Sequence, residues 1–117
     1  MFQQEDTFLS NTVFAHDPTS LEARLSSTDG LVLVAFAAAG CAPCAMMRPV
    51  LQQLAAEWSG RLVLVEAEAD RLPELTHRLH VYCTPTMVFF KQGRPVARLV
   101  GVQPLRRFEE VLTHLST

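Results

Sequence analysis

At 117 residues the chain is long enough for one domain with its own core and too short for two. Apolar residues make up 49% and charged residues 19%, which excludes a disordered chain. A net charge of −2, with no basic run beyond Arg106-Arg107, excludes an electrostatic nucleic-acid binder, and the apolar run from Leu31 to Ala39 is too short to span a membrane.

Residues 1–11 read as an N-terminal arm, followed by a domain over 12–117. The arm is acidic and polar, without the basic start or apolar stretch of a secretory signal, so a reducing cytoplasm is the expected location. Three cysteines also argue against a structural disulfide framework. Thr12 to His16 is a short strand candidate. Asp17 as N-cap and Pro18 at the first helical position open a helix to about Ser27, where Asp29-Gly30 turns the chain. Leu31–Ala37 is apolar on both faces, as a central parallel strand should be.

From Ala45 to Trp58 the apolar residues Met47, Val50, Leu51, Leu54 and Ala55 recur at helical spacing. Pro49 is expected to kink this helix and Gly60 to end it. Leu62–Ala69 is a second long strand, and Asp70 is expected to cap a helix from about Arg71 to Leu79. Thr86–Lys91 and Val96–Val100 form a hairpin across Gln92-Gly93, and an amphipathic helix from Gln103 to Leu115 closes the chain. The order βαβαβαββα predicts an α/β fold: one mixed sheet of about five strands, with about four helices on both faces.

Cys41-Ala42-Pro43-Cys44 lies between the buried strand and the long helix. In that context a CxxC turn reads as redox chemistry rather than metal binding. A sulfur at a helix N-terminus meets unpaired backbone N–H groups and the positive end of the helix dipole, both of which favour thiolate. The two-residue spacer brings the second sulfur within reach of a mixed disulfide on the first. A zinc or iron–sulfur site would need a further ligand beside Cys41, Cys44 and Cys83, from His80 or a second chain, and nothing else in the sequence supports one. His16, His77, His80 and His114 lack partner spacing and read as surface or internally satisfied histidines, and Glu66 with Glu68 lacks the aromatic company of a sugar-cleaving pair.

The chain resembles the thioredoxin family over nearly its whole length, from about Thr12 to Leu115. The resemblance rests on Cys41-Ala42-Pro43-Cys44, Pro49, Asp70, Thr84-Pro85-Thr86, Phe89-Phe90-Lys91-Gln92-Gly93 and Gly101. It implies an exposed nucleophile at Cys41, a more buried resolving thiol at Cys44, and a cis-proline at Pro85 facing the sulfurs. It also implies a substrate groove formed by Gly40, Ala42, Pro43, Thr84, Pro85 and Gly101, with Gly93 flanking it. The implied activity is reduction of protein disulfides by dithiol–disulfide exchange, with no metal or organic cofactor. The implied partners are protein disulfides and a recycling reductase or small thiol, with no nucleic acid or membrane. A monomer is expected, with a dimer through Cys83 left open.

Several positions depart from the family pattern. The usual tryptophan before the first cysteine is Gly40, and Ala37-Ala38-Ala39 replaces a bulkier stretch, so a flatter docking surface is expected. Ala42 stands for glycine and stiffens the turn. A buried aspartate and its partner lysine are replaced by Ala35 and Glu66. Glu66 is therefore a candidate proton acceptor for Cys44, with burial raising its pKa; the alternative is a strand glutamate reaching solvent. Thr84 replaces the usual isoleucine, and its hydroxyl could stabilise the Cys41 thiolate and raise the reduction potential. Cys83 is a candidate regulatory thiol or a small filler. Two further functions stay open: an oxidase or isomerase of higher potential, and an interaction or chaperone-like module with little turnover.

Overall fold

Alternation along the strands decides which helix packs where. The computed structural model describes residues 12–15, 18–27 and 30–116, with backbone alone for 12–15 and Ser27. The arm over 1–11, His16, the Asp17 cap and the Asp29 turn residue lie outside the described residues. Five strands form one sheet: β1 (Thr12–Ala15), β2 (Leu31–Ala37), β3 (Leu62–Glu68), β4 (Thr86–Lys91) and β5 (Arg94–Val100). Four helices accompany them: α1 (Pro18–Ser27), α2 (Ala42–Glu57), α3 (Pro73–Arg78) and α4 (Leu105–Leu115).

The strand order is β1-β3-β2-β4-β5. β1, β3 and β2 run parallel, while β4 pairs antiparallel with both β2 and β5. Val32, Val34 and Phe36 of β2 share one core with Leu21 and Leu25 of α1 and with Leu75 of α3. Leu31, Leu33 and Ala35 point the other way, into a second core with Met47, Leu51 and Leu54 of α2 and Phe108 and Leu112 of α4. Both faces of the central strand are thus covered, which is why its sequence shows no polar alternation. A fully buried side chain such as Phe36 or Leu54 stabilises the fold by about 1.5–3 kcal/mol.

The element order matches the expected one, and the differences sit at boundaries. α2 begins at Ala42 rather than Ala45 and runs unbroken through Pro49. Asp70 does not cap a helix: it lies within a single 3-10 turn, Ala69–Arg71, and α3 starts only at Pro73. The cause is Pro73, which suits a first helical position and disfavours helical backbone at Leu72 before it. α4 likewise starts just after Pro104. β5 begins at Arg94 and carries Pro95 at a register shift opposite Phe89/Phe90, on the sheet edge where a missing N–H is tolerated.

Candidate active site

β2 delivers the chain to Ala37, and a turn through Gly40 (φ 72°) leads it into α2. Cys41 is the N-cap residue of α2, and its Sγ accepts the backbone N–H of Cys44 at 3.2 Å. One of the orphan donors at the helix start is thereby aimed at the sulfur. Pro43 in the first turn costs nothing, because an N–H there would have no intrahelical partner. Cys41 and Cys44 are joined as a disulfide with Cα atoms 5.3 Å apart, well within the range such a bond spans. Both cysteines are half-buried, so the expected contrast between an exposed and a buried sulfur is not marked in this state.

The second wall is the segment before β4. The Thr84–Pro85 bond is cis, and the Thr84 carbonyl oxygen lies 3.8 Å from Cys41 Sγ. The Thr84 hydroxyl donates to the same sulfur at 3.5 Å. Pro85 is buried, and its carbonyl accepts the Gly101 N–H at 2.9 Å, which ties the end of β5 to the site. Gly101 takes φ 80°, a backbone conformation that side chains rarely adopt. Cys83 is exposed and its carbonyl is held by the Thr86 hydroxyl at 2.7 Å. The structure thus gathers Gly40, Cys41, Ala42, Pro43, Cys44, Thr84, Pro85 and Gly101 at one end of the sheet. Gly93 does not join them: it lies at the opposite end of the β4–β5 hairpin, where a Cβ added to it would stand 3.9 Å from the Leu25 carbonyl.

Behind the cysteines the chain has an ion pair that its sequence alone did not disclose. Ala35 and Glu66 are register partners on the α2 side of the sheet. Arg48 of α2 meets Glu66 there through two hydrogen bonds, Nε to Oε2 and Nη2 to Oε1, each 3.1 Å. The Glu66 side chain is 14% exposed and that of Arg48 41%. Spacing places Arg48 four residues after Cys44, on the same helix face, but does not name its partner. β-strand alternation meanwhile puts Glu66 on the face that α2 covers.

Small side chains leave a shallow, open hollow of about 390 Å³ beside the disulfide. Ala37, Ala38, Gly40, Ala42 and Ala45 wall it, and Cys41, Cys44 and Arg48 complete the lining. Tyr82, Val100 and Val102, which the sequence also did not single out, are exposed apolar side chains on the segments flanking Pro85. Among the described residues no group of three His, Cys, Asp or Glu side chains could hold a metal ion. No helix among them is long and apolar enough to cross a membrane.

A family model described as Thioredoxin matches residues 12–114. Thioredoxins from Staphylococcus aureus strains Mu50 and N315 are each 40% identical over 83 residues, spanning 71% of this chain and 80% of theirs. Among solved structures, a point-mutant thioredoxin from Halobacterium salinarum NRC-1 superposes with a TM-score of 0.79 at 27% identity, over 88% of both chains.

Proposed function

The chain belongs to the thioredoxin family, and from that premise we propose that it reduces protein disulfides through Cys41 and Cys44. A thiol–disulfide oxidoreductase of this family acts on protein disulfides and is recycled by a reductase. The observation that carries the reading for this chain is the environment of the Cys41 sulfur. It receives the Cys44 N–H at the head of α2 and the Thr84 hydroxyl from the facing segment, two donors that favour a thiolate.

In the reduced protein, Cys41 thiolate attacks one sulfur of the substrate disulfide. The substrate S–S bond breaks, one substrate thiolate leaves and is protonated, and a mixed disulfide forms on Cys41. Cys44 then loses its proton and attacks Cys41 Sγ, closing the protein disulfide and releasing the second substrate thiol. Two electrons pass from protein to substrate. The Thr84 backbone beside Pro85 suits pairing with an extended substrate segment, with Gly40, Ala42, Pro43 and Gly101 bordering it. Tyr82, Val100 and Val102 supply apolar contact.

The same reading assigns proton removal from Cys44 to Glu66. A carboxylate accepts a proton through an oxygen lone pair, and Arg48, donating to both Glu66 oxygens, fixes where those oxygens lie. Unchanged exchange rates across pH in Glu66→Gln would overturn this role. Exposed Cys83 is a candidate for oxidative regulation or for linking two otherwise monomeric copies, and a dithiol reductant belongs in the reducing cytoplasm.

Insulin reduction in the presence of dithiothreitol tests the reading directly. Cys41→Ser is expected to abolish it, and Cys44→Ser to trap the mixed disulfide. A Cys41→Ser protein that retains full function would make the fold an interaction module instead. The Thr84 contact favours a second reading, a higher-potential oxidase or isomerase. A couple near about −270 mV identifies a reductant, and one near about −180 mV identifies that alternative.

A further inference from the structure

We propose that the hollow beside Cys41 and Cys44 is a subsite for small disulfides that carry a carboxylate, with Arg48 holding that carboxylate. The inference rests on the oxidoreductase reading above and names a second substrate class for the same sulfurs. The hollow is shallow and open, about 390 Å³, which suits one arm of a small disulfide lying against the sulfurs. Its walls are alanine and glycine, and Arg48 is the one charged residue among the described residues that line it.

Arg48 is built to take a second anion. Nε and Nη2 are committed to Glu66, which fixes the plane of the guanidinium. Nη1 makes no hydrogen bond among the described residues. A guanidinium offers five N–H donors in a planar fork, so the edge formed by Nη1 and the second hydrogen of Nη2 remains for another carboxylate. The side chain is 41% exposed, whereas Glu66 is 14% exposed with both oxygens engaged by Arg48. The charge presented to the hollow is therefore the cation.

Distance along the helix suits the chemistry. Cys44 and Arg48 are one turn apart on α2, with Cβ atoms about 5–6 Å apart at that spacing. A carboxylate a few bonds from a disulfide sulfur can thus reach Arg48 while that sulfur faces Cys41. The overall charge of −2 repels anions at long range, so any preference for an anionic substrate has to arise locally.

The reaction balances without a further reagent. Cys41 thiolate attacks one sulfur of the small disulfide, that S–S bond breaks, and the departing thiolate takes a proton from water. Deprotonated Cys44 attacks Cys41 Sγ and frees the second small thiol, which is protonated in turn. The protein dithiol is oxidised, the small disulfide is reduced to two thiols, and the recycling dithiol or reductase restores the protein.

The test mixes the reduced full chain with 3,3′-dithiodipropionate or cystamine, small disulfides of similar size and opposite charge. Each rate is divided by that of dithiothreitol with the same disulfide, which removes the intrinsic difference in reactivity. The wild-type ratio is expected to favour the dicarboxylate by about tenfold, the worth of one charge-assisted hydrogen bond. Arg48→Met should erase that preference, and so should Arg48→Met with Glu66→Gln, which also removes the negative charge that Arg48 faces. A wild-type ratio near one, or a preference that survives in both variants, overturns the subsite. Insulin reduction run in parallel separates the two levels. Insulin reduced without charge preference defeats only the subsite, whereas neither insulin nor small disulfide reduced defeats the oxidoreductase reading as well.

Discussion

Thr84 places a hydroxyl 3.5 Å from the Cys41 sulfur, and the consequence is a bias in the redox couple. A donor binds a thiolate more strongly than a disulfide sulfur, so it stabilises the reduced form and raises the potential. Thr84→Val keeps the branched shape and removes the donor. At a net worth of about 1 kcal/mol for the hydrogen bond, the potential should fall by about 20 mV, read by thiol alkylation in dithiothreitol buffers. An unchanged potential would mean that the hydroxyl does not distinguish the two states. The placement of Thr84 beside Cys41 was legible in the sequence because the Thr-Pro turn and the CxxC turn each have a recognisable local pattern. Arg48 was not, because an arginine on a helix has no local signature of its partner. The pair exists only once β3 alternation and the pitch of α2 bring Glu66 and Arg48 together. Arg48→Met takes the guanidinium away from a carboxylate that is 14% exposed, which should cost about 1–3 kcal/mol in urea unfolding. Arg48→Met with Glu66→Gln should recover part of that loss, and a strictly additive double variant would deny the coupling.

Helix α4 shows how a terminal element is held and why its face could be read in advance. Phe108 and Leu112 recur at helical spacing and are fully buried against the sheet. The Phe108 ring packs 6.3 Å from that of Phe89, which projects from β4 onto the same face. The backbone N–H of Gln103, just before the helix, is bound by Met47 Sδ of α2 at 3.3 Å, so α4 is tied to the active-site helix at its entry. Phe108→Ala should cost about 3–5 kcal/mol, a large share of the 5–15 kcal/mol typical of a domain. It should appear as a lower urea midpoint with little change in slope. A loss below about 1 kcal/mol would mean the site collapses around the missing ring. The periodic elements, β2, α2, β4 and α4, were legible because burial imposes their period. The boundaries at Asp70–Pro73 and Arg94–Pro95 were not, because a proline there overrides the hydrophobic pattern by steric means or is absorbed by a register shift.

For the molecule as a whole, the packing of α2 and α4 on one sheet face brings two like charges together, and pH decides their effect. Glu57 is the last residue of α2, where the helix dipole already disfavours an anion, and Glu109 lies in the second turn of α4. The Glu109 carboxyl is raised above the ordinary glutamate range, first by a hydrogen bond with Glu57, then by desolvation and by the Glu57 charge. A carboxyl with a higher pKa in the folded than in the unfolded chain keeps its proton longer when folded. Its stabilising contribution is present below the unfolded pKa and is lost as pH rises through the raised folded value. Once the Glu109 carboxyl ionises, its charge is opposed by that of Glu57. Glu109→Gln keeps a hydrogen-bond donor for Glu57 and removes the charge. It should raise the melting temperature at about pH 7, with the gain shrinking at high salt and vanishing in acid well below the ordinary glutamate value of about 4.3, where the carboxyl carries its proton in both states. An equal gain at both pH values would assign the effect to helix propensity or packing instead. The same change lies on the helices rather than at Cys41, so insulin reduction should be untouched while the stability profile flattens.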